Sequence, residues 1–84
     1  MKILLENYEL ELKYEVETDL YAVTENSDGS ITWEFPIGDL NIPTQFMWTA
    51  TFPMIDDEYY VYCGEVEVED GFFMLTQRPN IEYN

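Results

Sequence analysis

From residue 7 to residue 17 the chain reads NYELELKYEVE, and every even position from Tyr8 to Val16 is apolar (Tyr8, Leu10, Leu12, Tyr14, Val16). Every odd position from Glu9 to Glu17 is charged, and Lys13 alone among them is positive. Successive side chains of an extended chain point to opposite faces, so this period of two predicts one half-buried β-strand over residues 7–17. A helical stripe through Leu5, Tyr8, Leu12 and Val16 is the competing pattern. It would leave Leu10 and Tyr14 in water and set Glu11 against Glu15, a repulsive pair one turn apart. The strand prevails.

The same alternation recurs in EVEVED, residues 65–70. Between and after these stretches the turn signals are regularly spaced. Asn26-Ser27-Asp28-Gly29 predicts a hairpin between a strand over 20–25 and another over 30–35, with Ile31, Trp33 and Phe35 on one face. Residues 36–44 hold two prolines and a glycine and read as a connection between sheet layers. Its Ile37, Leu40 and Ile42 are expected to cap the core. QFMWTATF, residues 45–52, predicts a strand with Phe46, Trp48, Ala50 and Phe52 together inside. Residues 53–58 read as a turn, and 53–62 is the one place where a short helix competes, since Asp56, Asp57 and Glu58 would suit its first turn. Residues 58–69 predict one long strand bent at Gly64, and Asp70-Gly71 a two-residue hairpin back into FFMLTQ. Residues 78–84 read as a tail or weak edge strand. The expected fold is mainly β, a small antiparallel sheet (meander, barrel or sandwich) of five to seven strands with at most one short helix, in a single domain over 1–84.

Composition decides which chemistry is open to such a domain. Histidine is absent and cysteine occurs once, at Cys63. That excludes histidine-based acid–base and nucleophile pairs and the usual zinc ligand sets. No intrachain disulfide is possible, which fits a reducing compartment, and the apolar setting YYVYCGEV predicts that Cys63 is a buried core thiol. The acidic clusters lack the spacing of a calcium loop, and a chain this short offers no cleft for a paired-carboxylate glycosidase. We expect no enzyme, no metal and no cofactor. The start is too short and acidic for a secretory signal and no apolar run reaches the length of a membrane span, so the expected location is the cytoplasm.

The net charge is −15, from 18 carboxylates against Lys2, Lys13 and Arg78. A disordered acidic chain is poor in aromatic residues, whereas this one carries 7 Tyr, 5 Phe and 2 Trp. It is built to fold in spite of self-repulsion, which added salt should relieve. A surface kept acidic only for solubility mixes both signs; here cations are nearly absent. Such a charge repels nucleic acid and anionic membrane and steers the chain toward basic protein surfaces. Alternate carboxylates on a strand stand about 6.6–7 Å apart, a spacing comparable to that of phosphates along a nucleic-acid strand. The expected partner-binding residues are Glu9, Glu11, Glu15 and Glu17, then Asp56, Asp57, Glu58 and Tyr59, and Glu65, Glu67, Glu69 and Asp70. Tyrosines among acids suit an arginine-rich target.

In size and charge the chain is similar to small phage-encoded inhibitors and DNA-mimic proteins, including anti-restriction and anti-CRISPR proteins. The likeness is one of charge and size and rests on no particular residue. It implies an inhibitor that occupies the basic groove of a nucleic-acid-binding enzyme or complex, in a host cytosol if phage-encoded. Two other classes fit the same composition: an immunity protein or antitoxin neutralising a basic toxin, and a structural or assembly subunit of a virion or complex.

Overall fold

The computed structural model describes residues 1–53 and 59–78, with the side chains of Tyr59 and Tyr60 outside the described set. It contains seven strands: β1 (Lys2–Asn7), β2 (Leu12–Glu17), β3 (Ala22–Glu25), β4 (Ile31–Pro36), β5 (Trp48–Pro53), β6 (Tyr59–Glu69) and β7 (Phe72–Gln77). All pairings are antiparallel and join the strands into one open sheet in the order β2-β1-β5-β6-β7-β4-β3. No helix occurs among the described residues. The mainly β fold expected from the alternation is therefore what the chain adopts.

The sheet is not flat. In a flat sheet β4 and β5, separated by β6 and β7, would lie about 14 Å apart. Yet the Phe52 ring on β5 lies 6.0 Å from Phe35 and 5.5 Å from Trp33, both on β4. The two halves of the sheet must face one another, and the bend is in β6. Its residues Tyr59 to Gly64 pair with β5, and Glu65 to Glu69 pair with β7. A strand that changes partners at a bend is how orthogonally packed layers share an edge. Gly64 is at the handover, where an added Cβ would lie within 2.7 Å of the Thr76 carbonyl carbon and closer still to its oxygen. The bend expected at Gly64 has that close approach as its cause.

One core lies between the halves. Ile3 and Leu5 of β1, Trp48, Ala50 and Phe52 of β5, Val66 of β6, Phe73 and Leu75 of β7 and Phe35 of β4 are buried in it. Ile37 and Ile42 of the connection after β4 close one end, with Leu40 packed against them, as their apolar character predicts. Trp48 is fully buried, with Tyr14 stacked at 6.1 Å and Phe73 edge-on at 6.3 Å. Trp33 stacks on Tyr62 at 4.3 Å, and its buried indole N–H has no acceptor among the described residues.

Both predicted hairpins form. Between β3 and β4 the Asn26 amide bonds the Ser30 carbonyl, and Asp28 Oδ1 accepts from the Ser30 amide (2.9 Å) and hydroxyl (2.6 Å). Those bonds hold the Asp28 carboxyl below the usual carboxylate range. A depressed folded value stabilises the fold above the unfolded pKa and is lost as pH falls through the folded one. Asp28→Asn should thus be less stable than the parent at neutral pH, and the difference should close below about pH 4 in urea melts across pH. A constant difference would mean that the serine bonds do not depend on the charge. Between β6 and β7, Asp70 (φ 53°) and Gly71 (φ 80°) both take left-handed backbone, the signature of a type I′ turn.

Four expectations fail. Residues 7–17 do not form one strand: Asn7 ends β1, residues 8–11 turn, and β2 begins at Leu12. The buried Asn7 amide oxygen accepts the Leu10 N–H at 2.9 Å, and Glu11 reverses the chain at φ 56°. Tyr8, expected inside, is 72% exposed. Cys63 is exposed rather than buried, because Tyr62, Gly64 and Val66 take the inward parity of β6. Phe46 does not join Trp48, Ala50 and Phe52 inside; it precedes β5 in left-handed backbone (φ 68°) and is 54% exposed. The third strand begins at Ala22 rather than Leu20, which packs against the core from the connection. The long strand expected over 58–69 is present from Tyr59 onward, so the competing helix does not extend over 59–62. The turn expected at 53–58 falls, apart from Pro53 at the end of β5, on residues outside the described set, as does the 79–84 tail.

Candidate partner-binding surface

The two acidic ladders lie on different halves of the sheet and differ in kind. On β2 the outward residues are Lys13, Glu15 and Glu17, and their register partners on β1 are Glu6, Leu4 and Lys2. Lys2 Nζ approaches Glu15 at 4.0 Å. This face mixes both signs, as a solubilising surface does. Glu9 and Glu11 are exposed in the 8–11 turn and do not continue the row, so the straight line of charge expected from Glu9 to Glu17 does not exist.

The β6 ladder keeps its geometry. Val66 and Val68 face the core, which forces Glu65, Glu67 and Glu69 outward along one side of the strand. Cross-strand register continues the face from Glu67 through Met74 on β7 to Glu34 on β4, and from Glu65 through Thr76 to Thr32. The Thr32 and Thr76 hydroxyls are 3.0 Å apart. Asp70 begins the turn at the far end of the ladder. The one cation that bonds this face among the described residues is Arg78, whose Nη2 lies 3.0 Å from Glu65 Oε1. Both groups are largely exposed, so the pair contributes little to stability. Of the remaining expected residues, Asp56, Asp57 and Glu58 lie outside the described residues, as does the Tyr59 side chain.

A groove lies beside this ladder. Thr44, Phe46 and Met47 of the loop before β5 line, with Thr32, Glu65, Glu67, Met74 and Thr76 on the outer face of β6, β7 and β4, an open hollow of about 680 Å³. The loop is held from behind: the Trp48 indole N–H donates to the Pro43 carbonyl at 2.9 Å, and the buried Asn7 amide donates to the Gln45 carbonyl at 3.3 Å. Phe46 and Met47 are thereby presented outward, 54% and 55% exposed. A second hollow of about 480 Å³, lined by Met47, Cys63, Gly64 and Arg78, adjoins the first at Glu65 and Thr76. Sequence reasoning missed Glu34, Phe46, Met47 and Met74. Alternation pointed Phe46 inward, and only the register with β4 brings Glu34 and Met74 beside Glu67.

Among the described residues no three acidic or sulfur side chains come together to hold a metal ion. No helix there is long and apolar enough to cross a membrane. Comparison with protein-family models, curated proteins and solved structures returned no match.

The described ion pairs are exposed and use the chain terminus, Lys2 and Arg78 against acids. They cannot offset the repulsion of a net charge of −15. The melting temperature should therefore rise when sodium chloride is raised from about 10 to 150 mM, as the screening length shrinks from about 30 to 8 Å. A fall would show that attractive pairs outweigh the repulsion.

Proposed function

We propose that this chain is a small acidic inhibitor that binds the basic nucleic-acid-binding groove of a target protein. The observation that carries the reading is the outward row Glu65, Glu67 and Glu69 on β6, extended across the sheet by Glu34 and matched, among the described residues, by Arg78 alone. A strand holds carboxylates at about 6.6–7 Å, so the row offers a basic groove an evenly spaced anionic track in place of phosphates. Contacts of that kind are largely electrostatic and independent of base sequence. They make association fast and salt-sensitive. The β2 face, with its mixed charges, supports the folded state and solubility and is the internal control.

The test is capture from lysate by the immobilised protein, followed by identification of what is bound and competition with duplex DNA or RNA. Nucleic-acid-binding proteins should be retained at about 50 mM salt, lost by about 200 mM, and displaced by the competitor. Reversing Glu65, Glu67 and Glu69 to Lys should abolish capture, and reversing Glu9, Glu11, Glu15 and Glu17 should only weaken it. Equal capture by the β6 triple variant, or bound proteins that nucleic acid does not displace, would sink the proposal. The exposed Phe46 and Met47 beside the acids favour a second reading, an immunity protein or antitoxin with a shape-specific site. Retention above about 200 mM salt would select it.

A further inference from the structure

We propose that the groove between residues 43–47 and the outer face of β6 and β7 is a docking slot for arginine side chains of the partner protein. The inference rests on the reading of the partner as basic and adds which cation the surface prefers and where it goes. A carboxylate row alone attracts lysine and arginine alike. This groove is not a carboxylate row alone: Phe46 and Met47 line it from the loop, and Met74 lies on the sheet face with Glu65, Glu67 and Thr76. Apolar and anionic side chains line one hollow of about 680 Å³, inside the range of ligand pockets.

The chemistry of the walls selects the occupant. A guanidinium is planar, more weakly hydrated than an ammonium, pairs with a carboxylate in a fork and lies flat on an aromatic face. It can meet Glu67 and Phe46 together, whereas a lysine ammonium would lose its hydration on the apolar side for a single point contact. The protein already carries the carboxylate half of this pairing. Arg78 Nη2 reaches both Glu65 oxygens, at 3.0 and 3.2 Å, and Arg78 lines the adjoining hollow. A guanidinium is thus accommodated in the hollow that shares Met47, Glu65 and Thr76 with the groove, and Glu67, two residues along the same face, has no ion-pair partner among the described residues. The net charge of −15 supplies the attraction that brings such a segment in.

Titration with capped hexa-arginine and capped hexa-lysine, followed by amide chemical shifts at about 150 mM salt, separates the possibilities. Hexa-arginine should shift the amides of residues 44–47, 65–67 and 74–76 and bind about two- to fivefold tighter than hexa-lysine. Phe46→Ala should reduce the arginine affinity to that of lysine, and Phe46→Trp should keep the preference, with unchanged dispersion of the remaining amides showing that both variants fold. Equal affinity for the two peptides overturns the slot, as does a shift pattern centred on Glu9, Glu11, Glu15 and Glu17. If the slot fails in this way while lysate capture still depends on Glu65, Glu67 and Glu69, the broader reading of an acidic inhibitor stands without it.

Discussion

Gly64→Ala is expected to be strongly destabilising, although glycine to alanine in a strand is ordinarily mild. Removing a glycine normally stabilises a compatible site by about 0.4–1 kcal/mol through the unfolded chain. Gly64 is not compatible. Its missing Cβ would overlap the Thr76 carbonyl group and press on the Gln77 nitrogen at 3.2 Å, and both are backbone atoms of β7 with no rotamer to yield. Overpacking costs about 1–3 kcal/mol where side chains give way, and a backbone contact in the middle of a sheet belongs at or beyond the upper end. Domains of this length hold about 4–12 kcal/mol in total. Urea denaturation of the variant should show a midpoint lowered by about a quarter or more. An unchanged midpoint would mean that β6 and β7 do not meet as described.

Trp48→Ala is the second severe loss, by a different route. Trp48 is the largest fully buried side chain, its ring lies between Tyr14 and Phe73, and its N–H holds the Pro43 carbonyl. Truncating a buried aromatic costs about 3–5 kcal/mol, and the orphaned carbonyl adds about 1–3 kcal/mol if it stays buried. Trp48→Phe helps to separate the two terms, since it removes the donor while keeping most of the buried ring volume. It should remain folded with a smaller loss of stability and should release residues 43–47. Its amide spectrum should change most at Phe46 and Met47, the residues that the bond sets in place. A Trp48→Phe variant with the same loop shifts as the parent would show that Asn7 alone fixes the loop.

What the chain reveals by inspection follows the physics of each signal. Alternation reports which side chains face inward, and it correctly marked β2, β4, β6 and β7 and the Asp70-Gly71 and 26–29 hairpins. It does not report where a strand ends when the turn is made without glycine or proline. Residues 8–11 turn because the Asn7 side chain replaces a backbone acceptor and Glu11 accepts a left-handed conformation, and neither step interrupts the apolar–charged pattern. The error at Cys63 has the same root: in YYVYCGEV nearly every residue is apolar, so parity is undefined until Val66 and Val68 fix it from the far side of Gly64. Phe46 was misplaced because two distant hydrogen bonds, from Asn7 and Trp48, decide the course of its loop. The candidate surface was legible only in its charge. The β6 ladder was readable, while its apolar companions Met74, Phe46 and Met47 come beside it through the pairing of β7 with β6 and the course of the loop before β5.

The strand that changes partners at Gly64 has a consequence for how the protein comes apart. Neither half of the sheet encloses a core without the other, because Phe52 and Trp48 on one side complete their packing against Trp33, Phe35 and Phe73 on the other. Opening either half therefore opens both, and intermediates with one half intact have nothing to hold them. Hydrogen exchange should resolve into fraying at the edge strands β2 and β3 and one global process, with the paired amides of β6 and its neighbours exchanging together and last. A chain so short and so charged survives as a single cooperative unit, in which the strand bearing the acidic row is also the hinge on which folding depends.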